Sequence, residues 1–167
     1  MKQKNADPMD ENLEIPFFYN AEYLYSQGEN SRFFREVRDN RQLLGSKCPG
    51  CGKVWMPPRG HCPDCYEGTE WVPLSGEGTV MSCTYCYFIG MSGDLLRHLG
   101  VPYVFALIKL DGADTYMPHG VKPPDPIIGK VKTGSRVKAV FLEKREGTIA
   151  DFYFVPIDNK APDRKVV

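Results

Sequence analysis

Hydrophobic and polar positions divide this chain into two regimes. Between residues 15 and 42 the aromatics Phe17, Phe18, Tyr19, Tyr23, Tyr25, Phe33 and Phe34 recur near helical spacing, and Gly28-Glu-Asn-Ser31 interrupts them with a break and an N-cap residue. The pattern predicts two short helices. Their aromatic faces need a packing surface elsewhere, in the rest of the chain or on a partner. After Leu74-Ser-Gly-Glu-Gly78 the periodicity becomes that of strands, with runs rich in β-branched and aromatic residues at 79–89, 102–110, 114–121, 136–144 and 148–155. Asp111-Gly112, Thr133-Gly-Ser135 and Glu146-Gly147 punctuate them. Five short strands fit a small closed barrel such as an OB-fold, and a β-sandwich stays open because strand number alone does not set topology. The proline-rich stretch Lys122-Pro-Pro-Asp-Pro126 falls where such a barrel inserts its variable connection.

Composition narrows the class. Hydrophobic residues at 42% and charged residues at 25% are ordinary globular values. The longest apolar runs are too short to cross a bilayer, and the polar start lacks a secretory signal, so a cytoplasmic protein is expected. Lys plus Arg and Asp plus Glu number 21 each, with no basic excess of the kind a phosphate-binding surface needs. The polar residues 1–14 and the tail from 157 need no fold. The mainly β chain therefore divides into a leader with helices (1–44), a cysteine module (45–73), a barrel (74–156) and a tail (157–167).

The module carries two CxxC pairs, Cys48-Pro-Gly-Cys51 and Cys62-Pro-Asp-Cys65. In a reducing compartment such pairs indicate metal chemistry before disulfides. Thiolates at i and i+3 of a tight turn point at one centre, and a second turn about ten residues on completes a tetrahedron. With Cys48, Cys51, Cys62 and Cys65 all occupied as ligands no position remains to activate water, so the site is structural zinc, with rubredoxin-like iron as the rival. Gly52 suits the left-handed position after its pair, whereas Tyr66 occupies the equivalent place in the second knuckle. His61 is expected to face solvent. Cys83 and Cys86 form a third CxxC inside a strand, where their side chains point to opposite faces; buried or half-buried thiols are expected there in preference to a redox pair.

The stretches around the cysteines also form a recognisable order. Arg41-Gln-Leu-Leu-Gly-Ser-Lys-Cys48 precedes the first pair, Pro57-Pro-Arg59 lies between the pairs, and Trp71-Val-Pro-Leu-Ser-Gly-Glu-Gly-Thr-Val80 enters the barrel. Over residues 30–156 this resembles the DUF35 family, OB-fold proteins with a rubredoxin-like zinc ribbon that are associated with acyl-CoA metabolism. Tyr66 and the long proline loop depart from that pattern. The resemblance implies a non-catalytic subunit that binds a thiolase, a hydroxymethylglutaryl-CoA synthase or a hydratase and helps form the acyl-CoA site. A thiolase-fold catalytic partner in a hetero-oligomer is the expectation, with acyl-CoA at or near the interface.

If CoA is touched, its phosphates need cations, and Arg59, Lys122, Lys130 and Lys132 are the candidates. Phe17, Phe18, Phe33 and Phe34 would suit a partner groove. The alternative is a single-stranded nucleic-acid binder, in which Phe88, Tyr103 and Phe105 stack on bases. Residues 74–156 hold nine basic and eight acidic side chains, too even a balance to favour it.

Overall fold

The computed structural model describes residues 16–17, 23–88, 98–123 and 129–157. Among the described residues one α-helix, α1 (Ser31–Asn40), follows a 3-10 turn at Gly28–Asn30. Three short strands, β1 (Leu43–Lys47), β2 (Val54–Trp55) and β3 (Glu70–Leu74), form an antiparallel sheet in the order β2-β1-β3. Five more, β4 (Glu77–Cys86), β5 (Tyr103–Leu110), β6 (Met117–Val121), β7 (Arg136–Phe141) and β8 (Phe152–Pro156), close a barrel in the order β4-β5-β6-β8-β7. The barrel, not the sandwich, is the topology.

The expected second helix is not found among the described residues. Residues 23–27 carry no helix, and Tyr23, Leu24 and Tyr25 are exposed there. A short helix depends on a buried face, and this segment buries none. In α1, Phe33 and Val37 stand one turn apart and are buried, with Phe34 half-buried beside them. The N-cap is Asn30, within the expected break, and it makes no side-chain cap bond.

The barrel closes around β4, whose first residues pair with β7 while its whole length pairs with β5. Gly78 sits at that crossing, where an added Cβ would come within 2.6 Å of the Lys109 carbonyl oxygen. A register shift between Val80 and Ser82 then turns Cys83 and Tyr85 toward the core and Ser82, Thr84 and Cys86 outward.

The strands β6, β7 and β8 fall short of their sequence runs by several residues. Before β6, Asp114 and Thr115 are used to hold β2: the Val54 amide donates to Asp114 Oδ2 at 2.8 Å, and the Met56 amide to Thr115 Oγ1 at 2.7 Å. After β7, the Arg145 guanidinium donates to the Leu142 and Glu143 carbonyls. Before β8, buried Asp151 accepts three amide bonds and one hydroxyl bond from residues 146–148, making a capped turn.

One core joins all parts. Phe33 and Val37 of the helix, Leu43, Leu44, Met56 and Leu74 of the small sheet, and Val80, Val104, Ile108, Val121, Phe152 and Phe154 of the barrel belong to the same buried cluster. The weak place in the barrel is the parallel contact of β6 with β8, a single register pair, Val121 with Phe154. Buried His119 spans that gap, its Nε2 2.8 Å from the Phe152 carbonyl oxygen. A carbonyl only accepts, so Nε2 carries a proton, and the lowered pKa keeps the ring neutral near pH 7. Burial, assisted by nearby His98 and opposed by the Phe152 bond, lowers the His119 pKa to about 4.

The unfolded chain takes up a proton near pH 6.5 and the fold resists it until about pH 4, so this contribution is complete above pH 6.5 and shrinks as pH falls. Between pH 7 and 5 the wild type should lose roughly 2 kcal/mol more stability than His119→Gln in urea titrations. Equal losses would remove the assignment.

Candidate metal centre

The small sheet carries the four cysteines on two turns of the same build. In the first, the Cys48 amide donates to the Lys53 carbonyl and the Gly52 amide to the Cys48 carbonyl; in the second, the Cys62 amide donates to the Glu67 carbonyl and the Tyr66 amide to the Cys62 carbonyl. Gly52 has φ +75° and Tyr66 φ +61°, so the second knuckle reaches the left-handed conformation without a glycine. His61 is exposed, as expected, and bridges to Gly68 through the backbone.

The turns bring Cys48, Cys51, Cys62 and Cys65 together, their sulfurs all within 4.8 Å of one another and the Cys51–Cys62 pair at 3.8 Å. A tetrahedral zinc with bonds of about 2.3 Å separates its sulfurs by about 3.8 Å, so the donor set and its spacing fit the ion. Cys48 and Cys62 are buried, Cys65 is half-buried and Cys51 is exposed.

Electrostatics agree with this fit. The Cys51 thiol beside it, with burial adding to the effect, pushes Cys65 up to about 12. Burial works to raise Cys62 as well, but the Cys65 and Asp64 amides and the neighbouring thiols outweigh it and bring Cys62 down to about 7. Four thiols at this spacing do not ionise together without a cation. When bound, zinc supplies a cross-link between the two turns and no open position for chemistry.

Around the sulfurs, Trp55 packs on Cys48 and Cys62. Lys53 Nζ lies 4.5 Å and Arg59 Cζ 5.5 Å from the Trp55 ring centre. Sequence reasoning missed Lys53 and Trp55. Their signal was position alone, two and four residues after Cys51.

Other candidate residues are distributed over the fold. Cys83 and Cys86 are half-buried on opposite faces of β4, and burial raises the Cys83 thiol. Arg59 is exposed on the ribbon, its amide bonded to Ser46 Oγ. Lys122 follows β6 with Nζ 6.0 Å from the Tyr153 ring centre, while exposed Lys130 and Lys132 flank Val131, which the Tyr85 hydroxyl holds. The lysines thus belong to the barrel and Arg59 to the ribbon. Phe33 is only 3% exposed, which removes it from the surface as a partner contact; its hydrophobicity is used at home. Phe34 lines a mostly apolar groove with Pro57, Pro58 and Pro118, Phe17 is exposed, and Phe18 lies outside the described residues.

Fold and centre together define a four-cysteine ribbon joined to an OB-fold barrel. Two family models match: the ChsH2 rubredoxin-like zinc ribbon domain over residues 35–72 and the ChsH2 C-terminal OB-fold domain over residues 71–142. A DUF35 domain-containing scaffold protein of Methanocaldococcus jannaschii is 34% identical over 77% of this chain and 91% of its own length. A second, from Methanothermobacter thermautotrophicus, is 32% identical over 71% and 85%. The chain belongs to the DUF35 family. Among solved structures it resembles the one titled Ltp2-ChsH2(DUF35) aldolase, with a TM-score of 0.58, 22% identity and coverage of 80% of this chain and 97% of that one. A DUF35 protein of unknown function from Sulfolobus solfataricus gives 0.52, 26%, 71% and 81%.

Cys48→Ser should lose the metal in elemental analysis, while Cys83→Ser should retain it. Tyr66 is exposed, so Tyr66→Gly removes left-handed strain without removing packing and should raise the stability of the metal-loaded chain by about 1 kcal/mol. Thermal melts of both forms check this.

Proposed function

We propose that this chain is a non-catalytic, zinc-containing subunit of an acyl-CoA thiolase complex, which stabilises the catalytic partner and helps form its CoA-substrate site. The observation carrying this reading is the outer face of β4, β5 and β6. Register places Ser82 beside Leu107 and Pro118, Thr84 beside Phe105 and Gly120, and Cys86 beside Tyr103. No charge interrupts these rows. Phe105 and Leu107 remain 37% and 39% exposed, and Met81 lies at the adjoining bulge. Lys109, the next outward residue of β5, bounds this patch; within it the uncharged, aromatic-containing surface matches the composition of a protein interface core. The relatives named as scaffold proteins support the same role.

Within this reading, Phe17, Phe18 and Phe34 extend the partner contact, and Arg59, Lys122, Lys130 and Lys132 meet the CoA phosphates. The bound metal is zinc, in preference to iron, and the setting is the cytoplasm. The particular candidate is the small subunit of benzoylsuccinyl-CoA thiolase, of anaerobic toluene degradation. No helix among the described residues is long and apolar enough to cross a membrane.

A nucleic-acid reading draws on Tyr103 and Phe105 sharing that outer face, a geometry that suits base stacking. Neutral charge weighs against it.

Affinity capture of the tagged chain from its native cells, with CoA-dependent thiolysis assayed in the eluate, separates the readings. A thiolase near one-to-one is expected, and Leu107→Asp should weaken its capture at least about tenfold while metal content stays full. An aldolase in its place would keep the scaffold role and discard the thiolase. Salt-sensitive recovery of single-stranded nucleic acid would establish the alternative.

A further inference from the structure

Lys53 occupies a position that no ligand or surface role yet explains. It follows the first knuckle, two residues after Cys51, and its Nζ reaches Asp64 Oδ2 at 3.0 Å, between Cys62 and Cys65 of the second knuckle. The same ammonium lies 4.5 Å from the centre of the Trp55 ring. That indole is 9% exposed and forms a small separate core with Cys48 and Cys62. One side chain therefore touches both knuckles and the only aromatic in that core.

We propose that Lys53 is a positioning residue that latches the two knuckles over the metal and sets the rate at which the metal leaves. The inference rests on reading the four thiols as a metal centre. Four thiolates around a divalent ion leave two negative charges in excess, which an ammonium across the knuckles offsets. Loss of the ion requires the knuckles to part and the sulfurs to take up protons or a competing ligand. Parting them breaks the Lys53–Asp64 pair and uncovers Trp55. Both costs fall on the release step. Each contact is modest for an exposed side chain, so their joint effect is a several-fold change in rate and leaves the fold intact.

The test is metal release from the full-length, metal-loaded chain to a coloured chelator in excess, followed with Trp fluorescence. Lys53→Met should release its metal roughly three to ten times faster than wild type, and Asp64→Asn should do the same. The double variant should be little faster than either single one, because both break one latch. Lys53→Arg should restore slow release. Salt should speed release from the wild type and leave Lys53→Met nearly unchanged, a dependence that simple loss of packing does not produce. Equal rates for wild type and Lys53→Met, or additive effects in the double variant, would overturn the latch. A wild-type chain isolated and reconstituted without bound metal would instead overturn the metal reading beneath it.

Discussion

Four sulfurs that must meet at one point are the constraint on which the small sheet depends. That sheet has only short strands and a minor core of Cys48, Trp55 and Cys62. Those three residues are too small a core to order the two knuckles by themselves. Metal ligation supplies the missing free energy, on the order of 10 kcal/mol in zinc-finger peptides. β1 and β3 lie in register along five residues each. Leu43, Leu44 and Leu74 then enter the barrel core.

The ribbon is therefore not a bead on a string. The bonds from Asp114 and Thr115 to Val54 and Met56 tie β2 to the barrel connection, and Met56 is buried in the shared core. Helix α1 adds Phe33 and Val37 to the same core, and its Arg38 carbonyl accepts from Arg145 at the far end of the barrel sequence. Such continuity suits a scaffold, because a partner docking on one part meets a surface whose orientation to the others is already decided. The barrel's shortest seam, between β6 and β8, holds one register pair and the Lys122 amide bond to the Phe154 carbonyl, and a neutral histidine adds a further bond across it.

Charge and shape point the same way. An overall balance of 21 basic and 21 acidic side chains offers little long-range attraction to phosphate polymers, while the uncharged patch around Phe105 and Leu107 is suited to short-range complementarity with another protein. The centre itself is closed by four thiols, which confines it to holding shape.

Much of this was legible in the residues. The two CxxC pairs named the metal cluster, because i and i+3 thiols on a turn converge whatever surrounds them. The five strand runs, with their turn signals, named the barrel strands to within a few residues, since alternation and β-branching are local properties. Tertiary structure decided the rest. It made residues 23–27 irregular where aromatic spacing predicted a helix, since helix stability comes from a face to bury against. It shortened β6, because Asp114 and Thr115 are used to hold the ribbon sixty residues earlier in sequence. It buried Phe33 and left Phe105 and Leu107 outside, although all three are equally apolar in sequence. It also set Lys53 across from Asp64, eleven residues on, which neither residue reveals alone. Sequence determined the elements and the ligand set, because local geometry is enough for both. Which surface is spent on the core and which is left for a partner depends on closure of the barrel and packing of the ribbon against it, and those are contacts between residues far apart in the chain.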